Sequence, residues 1–198
     1  MCHVCFRKIE FSKLPPDQQA LAIAKVVPAK YGEAEMEDLA QALRAKLEQK
    51  IDAGVLLWGA VGVGKTYAMA ALAKKFIRLG HTVERVLYEM LCMQIRDTYN
   101  RNAKKTELEV IEPLLKCDML FVEDVGVTRA IGAAETDFSR RTFQVVLDVR
   151  IEHERPTFLT TNKSLENLAA SFDERVGDRL RTFIVVELRN QSKRRSPK

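Results

Sequence analysis

The stretch Gly59-Ala60-Val61-Gly62-Val63-Gly64-Lys65-Thr66 constrains this chain more than any other. It matches G-x-x-x-x-G-K-[ST] and falls between a short apolar run, Val55 to Trp58, and a segment of helical spacing from Lys65 to Leu79 that stops at Gly80. Strand, glycine-rich turn and helix in that order make a cradle for phosphate. Glycine at 62 and 64 lets the backbone curl with no Cβ in the way, so successive N–H groups point inward. The helix adds the positive end of its dipole. Lys65 is placed to neutralise the β- and γ-phosphates of a nucleotide, and the Thr66 hydroxyl to ligate Mg2+, with Tyr67 beside them. The plain alternative is a glycine turn before a helix.

A second acidic motif lies downstream. Met119-Leu120-Phe121-Val122 runs into the adjacent carboxylates Glu123 and Asp124, followed by Val125-Gly126. Adjacent residues on a strand face opposite ways, so the two acids need different jobs. Glu123 is expected to hold the Mg2+ shell and Asp124 to orient or deprotonate an attacking water. Two solvated acids at a strand end are the alternative.

The rest of the chain alternates in the same manner. Helices are expected over Gln18 to Lys25, Met36 to Lys50, Glu89 to Tyr99, Glu107 to Leu115, Thr142 to Ile151 and Asp173 to Arg181, and further strands at Thr82 to Tyr88, Met119 to Val122, Thr157 to Thr160 and Ile184 to Leu188. Strands alternating with helices imply an α/β sandwich of three layers with a mainly parallel central sheet. With 198 residues the expected organisation is an N-terminal arm over 1–30, one nucleotide-binding domain over 31–190 and a basic tail over 191–198.

Composition narrows the class. Hydrophobic residues make up 46% and charged residues 30%, and no apolar run approaches the roughly 18 residues a membrane span needs, so no membrane partner is expected. The N-terminus lacks the apolar stretch of a secretory signal, which points to the cytoplasm. The net charge of +5 suits nucleic acid without demanding it. Four cysteines are too few and too scattered for a disulfide framework; Cys92 and Cys117 read as core thiols. Cys2 and Cys5 have metal-like spacing, but a structural zinc site needs four ligands, so zinc is not expected there.

With these motifs in place, the chain resembles the AAA+ ATPases of the DnaC/DnaI-like replicative helicase loader group and their IstB-like relatives, from about Val26 to Arg194. Val27, Pro28 and Tyr31, followed by Met36 to Leu39, look like the segment that borders the adenine site in that group. Glu123-Asp124 resembles its acidic motif but departs from it by opening with Glu rather than Asp. The resemblance implies ATP or ADP with Mg2+ as ligands. It makes Asn162, at the end of Arg155 to Asn162, the polar residue that senses the γ-phosphate, Arg179 an arginine finger presented to a neighbouring subunit, and Arg194 a second sensor. The alternative for Arg179 is a salt bridge on a helix surface. The short stretch after Asn162 resembles the group's reduced C-terminal end, without the full helical lid of most AAA+ proteins.

Arg96, Arg101, Lys104 and Lys105 cluster in and after the second helix of the sheet, where a polar loop could meet DNA phosphates and Tyr99 stack a base. A solvated basic loop is the alternative. Three functions fit this pattern. The first is a helicase loader that assembles on single-stranded DNA as a ring, spiral or filament and delivers a replicative helicase. The second is an IstB-like transposition helper that assembles on duplex DNA. The third, from another class, is a P-loop small-molecule kinase.

Overall fold

A computed structural model describes residues 11–49, 53–127, 137–172 and 174–189. Its centre is a five-stranded parallel sheet built from β1 (Gly54–Trp58), β2 (Val83–Leu87), β3 (Met119–Glu123), β4 (Thr157–Thr161) and β5 (Ile184–Glu187), in the spatial order β2-β3-β4-β1-β5. In register, Leu56 lies beside Leu159 and Val185, and Val122 beside Leu159. Helices connect these strands: α3 (Lys65–Arg78), α4 (Tyr88–Asp97), α5 (Glu107–Lys116), α6 (Asp137–Glu152), α7 (Leu165–Ser171) and α8 (Glu174–Arg181), preceded by α1 (Pro16–Val26) and α2 (Gln41–Glu48).

The inner strands β1, β3 and β4 are buried almost throughout because both faces are covered, whereas the edge strand β2 carries Glu84 and Arg85 and is half-exposed. Alternate residues serve alternate layers. Val55, Leu57, Phe121, Phe158 and Val186 pack against the alanine-rich face of α3, where Phe121 and Phe158 stack at 4.6 Å. Leu56, Leu120, Val122 and Leu159 pack against Leu91 and Ile95 of α4, Ile111 and Leu114 of α5, Phe143 and Leu147 of α6 and Leu180 of α8. The expected three-layer α/β sandwich with a mainly parallel sheet is therefore present.

Three local features differ from the pattern expected above. The helix over Met36 to Lys50 is split into a 3-10 turn at Met36–Asp38 and α2, with Leu39 extended between them at ψ 145. A reciprocal cap explains the break: the Glu35 N–H donates to Asp38 Oδ2 at 3.0 Å, and the Glu35 side chain accepts from the Asp38 N–H. Helix α7 was not expected; Ser164 caps it by accepting from the Asn167 N–H at 3.3 Å. At the other end of the chain, the described part of the arm is not free of the domain. Ile23 and Val26 of α1 pack on the α3 layer, and Val27 is buried.

Candidate nucleotide site

The turn between β1 and α3 has the backbone of a phosphate cradle. Gly62 and Gly64 take φ of 87° and 101°, which side-chain-bearing residues rarely adopt. At Gly59 the chain passes so close to β5's continuation that an added Cβ would stand 2.4 Å from the Leu188 carbonyl oxygen. Gly64 is the opposite case, since a Cβ there would meet no atom within 4 Å. The turn is therefore uncrowded at Gly64.

Lys65 is buried, and its ammonium sits inside that turn. Nζ donates to the Gly59 carbonyl at 2.7 Å, the Ala60 carbonyl at 2.9 Å and Asn162 Oδ1 at 2.7 Å. Its partners are oxygens of the kind a phosphate offers. The bond to Asn162 joins residues 97 positions apart and brings the end of β4 to the cradle. Thr66, half-buried at the first turn of α3, follows directly. A hydroxyl, carboxylates and phosphate oxygens are the hard donors Mg2+ takes. Among the described residues no three His, Cys, Asp or Glu side chains gather as a metal cage, which Mg2+ held through a nucleotide does not require.

The acidic pair parts company at the strand end. Glu123 is 2% exposed and accepts from Arg85 Nε of β2 at 2.5 Å. Asp124 is exposed, with φ of 56°, so the chain has left the strand and the alternation of faces no longer applies. Its N–H donates to Thr160 Oγ1 at 2.9 Å; Val125 N–H donates to the Thr160 carbonyl at 2.8 Å, and Thr161 Oγ1 donates to the Val125 carbonyl at 2.8 Å. Three bonds to β4 thus hold Asp124 at the same edge of the sheet as Asn162.

Beside the cradle is a cavity of about 230 Å³ walled by Asp38, Leu43, Lys46, Val63, Tyr67 and Leu188, among others. Tyr67 packs edge-on against Tyr31 at 6.5 Å and donates its hydroxyl to Asp38 Oδ2 at 2.6 Å. That bond holds the Asp38 carboxyl below its ordinary pKa and pushes the Tyr67 phenol up. Tyr67 thus lines the cavity and Tyr31 packs against Tyr67, whereas Val27 is a buried core residue outside the lining. Asp38 and Lys46 were missed as site residues. The 36–39 resemblance marked the segment, but only the broken helix brings these two exposed residues to one cavity wall.

The remaining candidates lie elsewhere. Arg179 of α8 donates from Nε to Asp148 Oδ1 of α6 at 2.7 Å and stays 45% exposed. The cleft beside it, about 440 Å³ between α6 and α8, contains no residue of the glycine-rich loop. Arg96, Arg101, Lys104 and Lys105 are exposed, as is Tyr99, whose hydroxyl donates to Glu107 Oε2 at 2.6 Å. Arg194, Cys2 and Cys5 lie outside the described residues. Cys117 is buried and Cys92 half-buried. No described helix is long and apolar enough to cross a membrane.

A parallel sheet in the order β2-β3-β4-β1-β5, a glycine-rich loop opening α3, an acidic end to β3 and a polar end to β4 define a P-loop domain of the AAA+ class. The chain belongs to the family of IstB-like ATP binding proteins, which it matches over residues 8–196. It is 26% identical to the replicative helicase loader DnaC of Escherichia coli K12 over 129 residues, 65% of this chain and 50% of the relative. The chain therefore spans about half the length of the curated relatives it matches. Its fold superposes on the crystal structure of DnaI with a TM-score of 0.67 at 21% identity, covering 87% of this chain and 99% of that one. It also superposes on the replication initiator DnaA bound to AMPPCP and single-stranded DNA, with a TM-score of 0.69 at 15% identity, covering 83% and 51%.

Proposed function

We propose that the chain binds ATP with Mg2+ at the cradle and hydrolyses it as one subunit of an assembly on single-stranded DNA, acting in replication to deliver a replicative helicase. The observation that carries this reading is the Lys65–Asn162 hydrogen bond, which ties the phosphate loop to the residue placed to sense the γ-phosphate. Mg2+ would be held by Thr66 and one carboxylate of the Glu123-Asp124 pair, supplying charge neutralisation at the transferring phosphoryl group. Lys65, already surrounded by oxygens, would exchange carbonyl and amide partners for phosphate oxygens. Asn162, released from Lys65, would hold the attacking water. The base would lie toward Tyr31, Tyr67 and Asp38 in the neighbouring cavity.

Arg179 would complete the site of the next subunit in a ring, spiral or filament, because its own cleft is separate from its own cradle. The exposed basic loop with Tyr99 would face the DNA backbone and bases. One observation favours a second reading, the IstB-like helper on duplex DNA: the family match runs over 8–196, whereas the match to DnaC covers 65% of the chain.

ATP turnover measured with single-stranded and with duplex DNA, using Lys65→Ala as the blank, separates the two. Stimulation by single strands is expected; stimulation by duplex alone moves the assignment to the transposition helper. Turnover unchanged in Lys65→Ala would overturn both.

A further inference from the structure

The acidic motif of this chain opens with Glu, and the structure shows what the longer side chain does. Arg85 lies beside Phe121 in the β2–β3 register, and Leu87 beside Glu123. Side chains at 121 and 123 share the face of the sheet that packs on α3, so Arg85 shares it too. The guanidinium therefore has two residues of strand to cover, and Glu123 meets it at 2.5 Å in a site where the carboxylate is 2% exposed. An aspartate at 123 would end one methylene short of this partner. A charge so buried is stable only when paired, and Arg85 is the pair.

Asp124 has the complementary character. It is exposed at the sheet edge, holds a left-handed φ of 56°, and is fixed there by the Thr160 hydroxyl and the bonds of Val125 to β4. Backbone strain held by surrounding bonds is a mark of a functional position. Resting on the nucleotide reading above, we propose that Arg85 is a positioning residue that withdraws Glu123 from the metal shell, leaving Asp124 as the carboxylate that faces Mg2+ and nucleotide. The two acids thus exchange the roles that the order of the motif assigns them: Glu123 ties β3 to β2, and Asp124 serves the metal.

The test is the Mg2+ dependence of binding, not turnover. A fluorescent non-hydrolysable ATP analogue is titrated with Mg2+ on the full chain, on Asp124→Asn, on Glu123→Gln and on the double variant Arg85→Gln/Glu123→Gln, with thermal melting to confirm folding. Asp124→Asn is expected to raise the Mg2+ midpoint about tenfold or more, while Glu123→Gln and the double variant move it less than about threefold. A Glu123→Gln shift as large as that of Asp124→Asn would overturn the assignment, as would an Asp124→Asn midpoint equal to that of the unaltered chain. Failure of the unaltered chain to bind the analogue at any Mg2+ concentration would instead sink the nucleotide reading, and this assignment with it.

Discussion

Glu35 shows how single side chains fasten the N-terminal segment to the phosphate-loop helix. Its carboxylate accepts from Arg78 at 2.6 and 2.8 Å and from the buried Lys74 at 2.6 Å, while Lys74 also donates to the Gly32 carbonyl. The Arg78 bond leads in lowering the Glu35 pKa from 4.5 to about 2, against a smaller opposing effect of burial. A depressed carboxylate stabilises the fold fully above its unfolded pKa, and the contribution fades as the pH falls through the folded value. Glu35→Gln should therefore be less stable than the unaltered chain above about pH 4.5, with the gap closing as the pH falls toward 2. Chemical unfolding across that range measures it, and a gap independent of pH would contradict the account. At this scale motif spacing singled out Lys65 and Thr66, whereas Asn162 was singled out by the resemblance alone. The partners Arg85, Lys74 and Asp38 were not, since each acts through a residue distant in sequence.

Among the elements, α6 is the clearest case of a hidden fastening. Arg150 is 0% exposed, and its guanidinium donates to carbonyls, the Thr157 hydroxyl and the Cys117 sulfur rather than to a carboxylate. It donates to Thr157 Oγ1 at 2.9 Å and to the carbonyls of Leu114, Cys117, Asp118 and Pro156 at 2.6 to 3.1 Å, gathering the end of α5 and the starts of β3 and β4. The carbonyls at the end of α5 carry the negative end of its dipole, which offsets part of the cost of burying the charge. Burial still pushes the guanidinium pKa down. Arg150→Met would strand several buried acceptors at once, each costing about 1–3 kcal/mol. A loss of about 3 kcal/mol or more is expected in denaturant unfolding, and a loss under about 1 kcal/mol would contradict it. In sequence, Arg150 sits among Asp148, Glu152 and Arg155 and reads as a solvated helix face. Strands β1 and β3 were legible from their apolar runs. Helix α7 was not, because seven residues give too little periodicity to separate from a loop.

At the scale of the whole molecule, the candidate sites share no lining residues. The cradle, Asp124 and Asn162 share one edge of the sheet, whereas Arg179 points from α8 to Asp148 of α6 in a cleft of its own. On the proposed reading, an arginine so placed would serve the nucleotide of a neighbouring copy, and turnover would be a property of the assembly. Arg179→Ala should keep nucleotide binding and lose hydrolysis. The most direct test is to mix two inactive variants, Lys65→Ala and Arg179→Ala, and measure ATP hydrolysis of the mixture against each alone. If subunits complete one another's sites, the Lys65→Ala copies lend Arg179 to the intact cradles of the other variant, and the mixture turns over ATP well above the sum of its parts. A mixture no better than that sum, at concentrations where the unaltered chain is active, would contradict the account.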